Sequence, residues 1–193
     1  MAGLNNPMQE ISSQKREFAN RIFMGIVVDN EDPEFLQRVR IRVPVVYDGV
    51  KDETLPWALP MYSSIQGNTK TVGAYSVPVI DSLLYVKFQD GDTHFPVYGQ
   101  IAVTPETVKD ESRINYPHRY GMSDNKGNKL YVDTKEGDMR IDHHSGTSIH
   151  ILPDGSVNMK VVGNISWDVD GDITWDVDGN WTATASSYTW NTK

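Results

Sequence analysis

The chain has 193 residues, a formal net charge of −8 and no cysteine. The negative charge argues against a nucleic-acid partner bound through its phosphates, and the missing thiols exclude disulfides and cysteine-ligated metals. The N-terminal segment lacks the apolar core of a secretion signal, and no stretch approaches the roughly 18 apolar residues of a membrane span. We therefore expect a protein that is made and folded in a cytoplasm.

Residues 1–20 are polar and are predicted to form an N-terminal arm. Ser12 or Ser13 can cap a short helix that reaches Arg21, because a hydroxyl oxygen accepts from the first free amides of a helix. An arm that becomes ordered only on a partner is the alternative.

Residues 21–103 are predicted to form a small closed β-barrel. Short strand patterns recur here without a convincing helix, and residues 76–89 and 94–103 flank the turn signal Asp90-Gly91-Asp92. Two prolines in LPWALPMY, from Leu55 to Tyr62, place that segment at a sheet edge or corner. About five strands in eighty residues are typical of an all-β barrel.

Arg38, Arg40 and Arg42 alternate with aliphatic residues and so share one strand face. On a barrel, such a stripe is one element of an oligonucleotide-binding surface. Few exposed aromatic residues are expected beside it, and the chain is acidic. Pairing with nearby acids, or a protein contact, is the favoured interpretation.

Residues 104–128 are polar, contain Pro105 and Pro117, and are predicted to be a linker. From Lys129 onward, strand patterns resume between three turn signals. These signals are Glu136-Gly137-Asp138, Ser145-Gly146 and Asp154-Gly155. We predict a β-meander that continues into the C-terminal segment, so that 129–193 form one β-structure.

The C-terminal segment repeats every eight residues: VVGNISWD from Val161, VDGDITWD from Val169 and VDGNWTAT from Val177. Odd positions are apolar or glycine and even positions are polar, the pattern of a strand with one dry face. A single chain of this kind cannot bury its dry face, so an intertwined oligomer with the odd face inward is predicted. A hairpin meander packed on the rest of the chain is the alternative. The predicted structural core of the repeat is Val161, Gly163, Ile165, Trp167, Val169, Gly171, Ile173, Trp175, Val177, Gly179 and Trp181.

Candidate chemistry is sparse. Asp168, Asp170 and Asp172 resemble the start of a calcium loop, but the glycine and the acidic residue that an EF-hand needs are out of place. His143 and His144 are predicted to point to opposite faces of a regular strand and so not to share an ion. His144 and His150 have the same parity but are separated by the Ser145-Gly146 turn. No G-x-S-x-G, H-E-x-x-H or P-loop motif occurs. We predict no enzyme, no catalytic residue, no cofactor and no metal.

Three stretches resemble the N-terminal OB-fold of contractile-tail central spike proteins: FMGIVVDNEDPEFLQRVRIRVP, LPWA and VPVIDSLLYVKFQDGDTHFPVYGQ. This group includes phage baseplate hub spikes, baseplate assembly protein V and the VgrG spikes of type VI secretion. YPHRYG, residues 116–121, is similar to the segment after the barrel in large phage spikes, and the octads are similar to the family's triple-stranded β-helix. The resemblance covers about residues 21–190 and implies an OB barrel followed by a trimeric β-helix.

The resemblance implies a homotrimeric spike in a virion tail baseplate that docks on a trimeric hub through its OB end and punctures the target membrane on sheath contraction. Two departures matter. About twenty-five linker residues stand where the best-known spike carries a lysozyme domain. The resemblance therefore does not imply lysozyme activity for this chain. The chain ends Asn191-Thr192-Lys193 without a His-x-His apex, which implies a blunt end capped by a PAAR-like tip protein.

Three alternatives remain open at this stage. The chain could be a tail-associated peptidoglycan hydrolase or an OB-type nucleic-acid-binding protein. The machine could also be a bacterial toxin-delivery device rather than a phage.

Overall fold

The computed structural model describes residues 15–61, 69–187 and 189. It divides into two compact units, Met1–Asp110 and Glu111–Lys193. The predicted caps Ser12 and Ser13 and the chain end at 191–193 lie outside the described residues.

The first unit contains a closed barrel of five strands in the order β1-β2-β3-β5-β4. The strands are β1 Phe23–Asp29, β2 Val39–Arg42, β3 Trp57–Pro60, β4 Leu83–Phe88 and β5 Pro96–Ile101. All neighbours are antiparallel except β3 and β5, which pair in parallel. This closure leaves no barrel edge free and is consistent with an OB fold. The predicted closed barrel is confirmed.

The barrel core follows from strict alternation along the strands. In β4, Leu84, Val86 and Phe88 are buried between exposed neighbours, and in β2 Val39 and Ile41 are buried between half-buried arginines. The predicted turn between β4 and β5 is a short 3-10 turn at Gln89–Gly91. Gly91 adopts a left-handed backbone, φ +71°, that favours glycine.

Residues 15–19 are helical and pack against the barrel. The Phe18 ring lies 5.4 Å from the Phe23 ring and 6.1 Å from the Phe88 ring, between centroids. The Lys15 ammonium also lies 3.1 Å from a carboxylate oxygen of Asp92, beside the β4–β5 turn. This part of the predicted arm is therefore part of the first unit's fold.

The second unit contains a five-stranded antiparallel sheet in the order β10-β9-β8-β7-β6. Its strands are β6 Arg119–Ser123, β7 Lys129–Asp133, β8 Asp138–Asp142, β9 Ser148–Ile151 and β10 Val157–Lys160. Gly137, Gly146 and Gly155 have positive φ in the three turns predicted from sequence. The meander is thus as expected from β7 to β10.

The predicted linker 104–128 is wrong at its C-terminal end. Asp110–Arg113 form a helical turn, and Arg119–Ser123 form β6, which pairs with β7 over five residues. Gly121 makes this pairing possible, because a Cβ there would lie 2.2 Å from the Leu130 carbonyl oxygen. An Arg119–Asp133 ion pair, 2.9 Å from Nε to Oδ2, also joins the two strands.

The two faces of this sheet differ in chemistry. Cross-strand partners share a face, and the register aligns apolar side chains in two rows that run across all five strands. One row is Tyr120, Val132, Met139, Ile151 and Val157. The other row is Met122, Leu130, Ile141, Ile149 and Met159. These two rows together are called the apolar sheet face below, and the opposite side is the polar sheet face.

Beyond β10, residues 161–187 form no helix or sheet strand within the single chain. The backbone bends at 162–163, 170–171 and 178–179, once in each octad and each time at its glycine. The period of eight is therefore present in the backbone as well as in the sequence. Within the single chain, the described strands of 129–193 end at Lys160, and continuation of the β-structure through the octads stays a prediction about assembly.

Candidate functional site

Arg38, just before β2, and the two arginines of β2 all pair with acidic residues of the same chain. Arg38 Nη2 lies 2.6 Å from Asp32 Oδ1, Arg40 Nη1 lies 3.5 Å from Asp29 Oδ2, and Arg42 pairs with Asp52. The Arg40 guanidinium also stacks over the Trp57 ring, 4.5 Å from its centroid. The expected pairing with nearby acids is confirmed, and these arginines do not form a free cationic stripe.

Asp32 organises the loop between β1 and β2. Its buried carboxylate accepts from the backbone amides of Glu34, Leu36 and Arg38 and from the Arg38 guanidinium. The Arg38 hydrogen bond, more than any other contact, holds the pKa of Asp32 far below its usual range. The loop presents Phe35, 89% exposed, on a left-handed backbone. Sequence reasoning missed this feature, although Asn30-Glu31-Asp32-Pro33 predicted a turn here.

The three histidines do not form a metal centre in the described part of the chain, where no group of three or more histidine or acidic side chains is placed to hold an ion. The geometric reason given from sequence was wrong for His143 and His144. They lie in the turn after β8 rather than in a strand, and their rings meet on one side with centroids 4.1 Å apart. His150 lies elsewhere, with Nε2 2.9 Å from Asp138 Oδ2 on the polar sheet face.

The octads place their apolar side chains in solvent within a single chain. Exposure repeats with the sequence: Trp167 and Trp175 are 67% and 66% exposed, and Val169 and Val177 are 43% and 45% exposed. Ile165, Ile173 and Trp181 are also exposed, whereas Val161 is half-buried. The structure therefore brings none of the predicted repeat core together inside one chain, and that core stays a prediction about assembly.

The octad glycines face open space in the single chain. A Cβ built at Gly163, Gly171 or Gly179 has no described neighbour within 4 Å, and none of these glycines has a left-handed backbone. Neither backbone conformation nor crowding within one chain accounts for a glycine every eight residues. A close approach that requires glycine would have to come from another chain.

Asp168, Asp170 and Asp172 are exposed on the polar side of the octads. In the described residues they belong to no grouping that could hold a metal ion. Among those residues, no helix has the length and apolar character needed to cross a membrane.

Comparison with known families gives a match over the barrel. Residues 23–100 match the type VI secretion system/phage-baseplate injector OB domain. The matched range begins at the first residue of β1 and ends one residue before the end of β5, so it covers all five barrel strands. Curated proteins provide no further match to the chain.

The injector OB domain supports, at a coarse level, a place among the baseplate spike proteins of contractile injection machines. The role it supports is structural, and the location it supports is tail-associated. The match ends before the sheet and the octads, which lie outside the injector OB domain.

Proposed function

We propose that this chain is the homotrimeric central spike of a phage baseplate or a related contractile injection machine. The observation that carries the proposal is the order of its parts: an injector OB domain at 23–100 is followed by octads whose apolar side chains are exposed with a period of eight. The barrel buries its apolar core within one chain, whereas the octads leave their apolar side chains exposed. A repeat that is apolar on one side and bent once per unit is suited to winding with copies of itself.

In this proposal, three octad segments wind into a triple-stranded β-helix with the odd face inward. Each exposed tryptophan would then remove about 150–250 Å² from water, and pairing between chains would satisfy the backbone groups of residues 161–187. The aspartates at 168, 170 and 172 would remain in solvent. Glycines that meet no neighbour in one chain would lie where a second chain approaches.

Such a needle is suited to transmit axial thrust. Each octad is joined to its neighbours by a shared apolar core and by hydrogen bonds, so opening one register breaks many contacts together. Resistance to load is then set by the unfolding barrier rather than by equilibrium stability alone. The proposed partners are a trimeric baseplate hub at the OB end and a PAAR-like tip protein at the other end, with transient contact with the target membrane.

The proposed role is mechanical and requires no turnover. The three arginines that could mark an oligonucleotide-binding surface are paired with acids, which disfavours the nucleic-acid alternative. A peptidoglycan hydrolase of the glycosidase type requires a pair of carboxylates with separated pKa values in a cleft. Purified protein is expected to release no peptidoglycan fragments.

The test of this proposal is the solution mass of the full chain by multi-angle light scattering. A mass of about three times the 21.7 kDa chain is expected, together with negative-stain images of a three-lobed head that continues into a thin needle. A monomer, or a trimer without a needle, would contradict the proposal.

A further inference from the structure

Residues 30–37, called the Phe35 loop below, join β1 to β2 and hold an aromatic side chain in solvent. Phe35 is 89% exposed, and Leu36 beside it is 50% exposed. Phe35 and Gln37 both have left-handed backbones, with φ of 56° and 62°, which non-glycine residues keep only where the surrounding structure holds them. Scattered apolar residues on a surface are ordinary, whereas a strained loop that holds one in solvent is characteristic of functional sites.

The Phe35 loop is fixed at both ends. Asn30 Nδ2 donates to a backbone carbonyl of the segment before β4 at 3.0 Å, and the Tyr98 hydroxyl donates to the Gln37 carbonyl at 2.7 Å. Between these points, the buried Asp32 carboxylate accepts from backbone amides of the loop. Because the loop is ordered before a partner arrives, binding through it loses little conformational entropy.

A groove of about 460 Å³, called the wall groove below, lies on the outside of the barrel beside the start of β1. Its apolar lining comes from Ile22, Met61, Tyr85 and Val97, and Ile22 and Met61 are 60% and 52% exposed. Among the described residues of this lining, Lys87 is the one that carries a charge. The volume is within the range of binding pockets, about 300–1,000 Å³, so the groove has room for an aromatic side chain.

The Phe35 loop and the wall groove carry opposite charges. Glu31 and Glu34 are exposed on the loop, and Glu31 forms no ion pair among the described residues. The exposed Lys87 of the groove likewise has no acidic partner in the part of the chain that the structure describes. Two apolar features of opposite charge are complementary to each other.

The loop and the groove do not meet within one chain. Tyr85 of the groove pairs with Met24 near the start of β1, whereas the Phe35 loop follows the end of β1 at Asp29. Five residues of strand separate these points, a distance of about 16 Å. A projection and a groove at different places on one surface join copies head to tail, and such contacts can close into a ring.

We propose that Phe35 of each barrel inserts into the wall groove of the next barrel in the spike, with Glu31 facing Lys87, so that three barrels close into a ring. The inference rests on the trimer of the proposed function and adds a barrel contact that is separate from the octads. A contact of this size is too small to hold free barrels together. It forms because the octads, by joining three chains, raise the local concentration of the barrels.

The test uses cysteine pairs in the full chain, which has no native cysteine. Leu36→Cys places a thiol beside Phe35, and Gln100→Cys places one in the lining of the wall groove. The control pair has Val45→Cys in place of Leu36→Cys, because Val45 is 84% exposed and also has a left-handed backbone, φ 71°. A short bismaleimide joins thiols that lie close together, and denaturing gels measure the rate at which covalent trimer forms.

The pair Leu36→Cys and Gln100→Cys is expected to form covalent trimer at least about tenfold faster than the control pair, because only this pair lies across the contact. Equal rates would overturn the ring. Covalent species larger than a trimer would also overturn it, since they indicate an open head-to-tail chain of barrels.

Failure of the ring can be distinguished from failure of the proposed function. A trimer by light scattering in which Leu36→Cys and Gln100→Cys do not cross-link would refute the ring and leave the proposed function standing. A monomer by light scattering would refute the proposed function, and the ring with it.

Further substitutions in the cross-linking pair test the two complementary features. Phe35→Ser removes the inserted ring and should slow cross-linking at least about tenfold, whereas Val45→Ser should leave the rate unchanged. Lys87→Glu should slow it about threefold, and Glu31→Lys in the same protein should restore it, because opposite charges then face each other again. An unchanged rate in Phe35→Ser, or a further loss on adding Glu31→Lys, would contradict the proposed contact.

Discussion

The two units of this molecule treat their apolar residues in opposite ways. In the barrel, Val27, Val39 and Val86 have no exposed surface, and the core is closed by strands of the same chain. In the second unit, Trp167 and Trp175 are about two-thirds exposed. The two units do not differ in sequence pattern, since both alternate apolar and polar residues. They differ in whether the strands of one chain cover the apolar side chains.

This difference indicates which part of the proposed spike would depend on other copies of the chain. A barrel closes on itself and removes its edges, so one chain contains the whole fold. A meander followed by octads has no second layer in the described residues to cover its dry side. Stability of the first unit should therefore be independent of protein concentration, whereas order in the second should depend on assembly.

The largest expected effect is loss of the trimer on substitution of an octad tryptophan. Trp175→Asp would place three carboxylates near one axis, and each buried, unpaired charge costs several kcal/mol. The dissociation constant should rise at least about a thousandfold, measured by light scattering across a dilution series. Thr174→Asp adds the same charge to the even side and should leave the mass unchanged. A heat-stable trimer of Trp175→Asp would show that the odd side does not face inward.

The second prediction concerns the barrel core. Leu84 is 1% exposed and pairs across strands with Ile101, which is 70% exposed. Leu84→Ala should lower the free energy of unfolding of the barrel by about 2–5 kcal/mol through loss of apolar contact and a residual cavity. Ile101→Ala should change it by less than about 0.5 kcal/mol. Urea unfolding measures both, and equal losses would contradict the assigned core.

A smaller effect is expected at the junction between helix 15–19 and the barrel. A Cβ at Gly91 would lie 1.8 Å from the Lys15 carbonyl oxygen, whereas a Cβ at Gly49 meets nothing within 4 Å. Both glycines have positive φ, so Gly49→Ala should cost about 1 kcal/mol from backbone strain alone. Gly91→Ala should cost more, because helix 15–19 must move and Phe18 loses its contacts with Phe23 and Phe88.

The glycine comparison is read from urea unfolding and from trypsin cleavage after Lys15 and Arg16. Faster cleavage is expected only in Gly91→Ala. If the two variants lose the same stability and resist trypsin equally, helix 15–19 is not held by this contact.

Much of the barrel could be predicted from sequence because its signals are local. Alternation from Arg38 to Val43 predicted β2, and Asp90-Gly91-Asp92 predicted the β4–β5 turn. The parallel pairing of β3 with β5 could not be derived, since no local pattern records which distant strands meet. The strand β6 was missed for a related reason. RYGMS, residues 119–123, follows a proline-containing polar stretch and is stabilised by β7 rather than by its own pattern.

The candidate site was predictable in one part and not in another. The octads repeat in sequence, so the apolar side of each unit could be read directly, and its burial in an assembly stays a prediction. The apolar sheet face could not, because its residues are even-numbered in β6 and β7 and odd-numbered in β8 to β10. Only the register set by the turns at Gly137, Gly146 and Gly155 brings the two rows together. His143 and His144 illustrate the converse error, in which strand geometry was applied to residues of a turn.

The last prediction concerns acid, and it can separate the two units. Asp133 receives hydrogen bonds from Asn115, from the Glu136 and Lys135 amides and from Arg119, which together lower its pKa from 3.8 to about 2. Because the folded pKa lies below the unfolded one, the stabilisation is fully present above about pH 4. It is lost as the pH falls towards about 2.

Asp133→Asn should remove this pH dependence from the sheet and lower its stability at neutral pH, since the Arg119 guanidinium keeps its half-buried place without a carboxylate. Asp170→Asn, on the exposed side of the octads, should change neither. The barrel carries its own carboxylate of lowered pKa, Asp32, and should still weaken in acid when Asp133 is replaced. Circular dichroism melts from neutral pH down to about pH 2 would show whether the units respond separately. A barrel transition that moves with Asp133→Asn would mean that the two units share one cooperative fold.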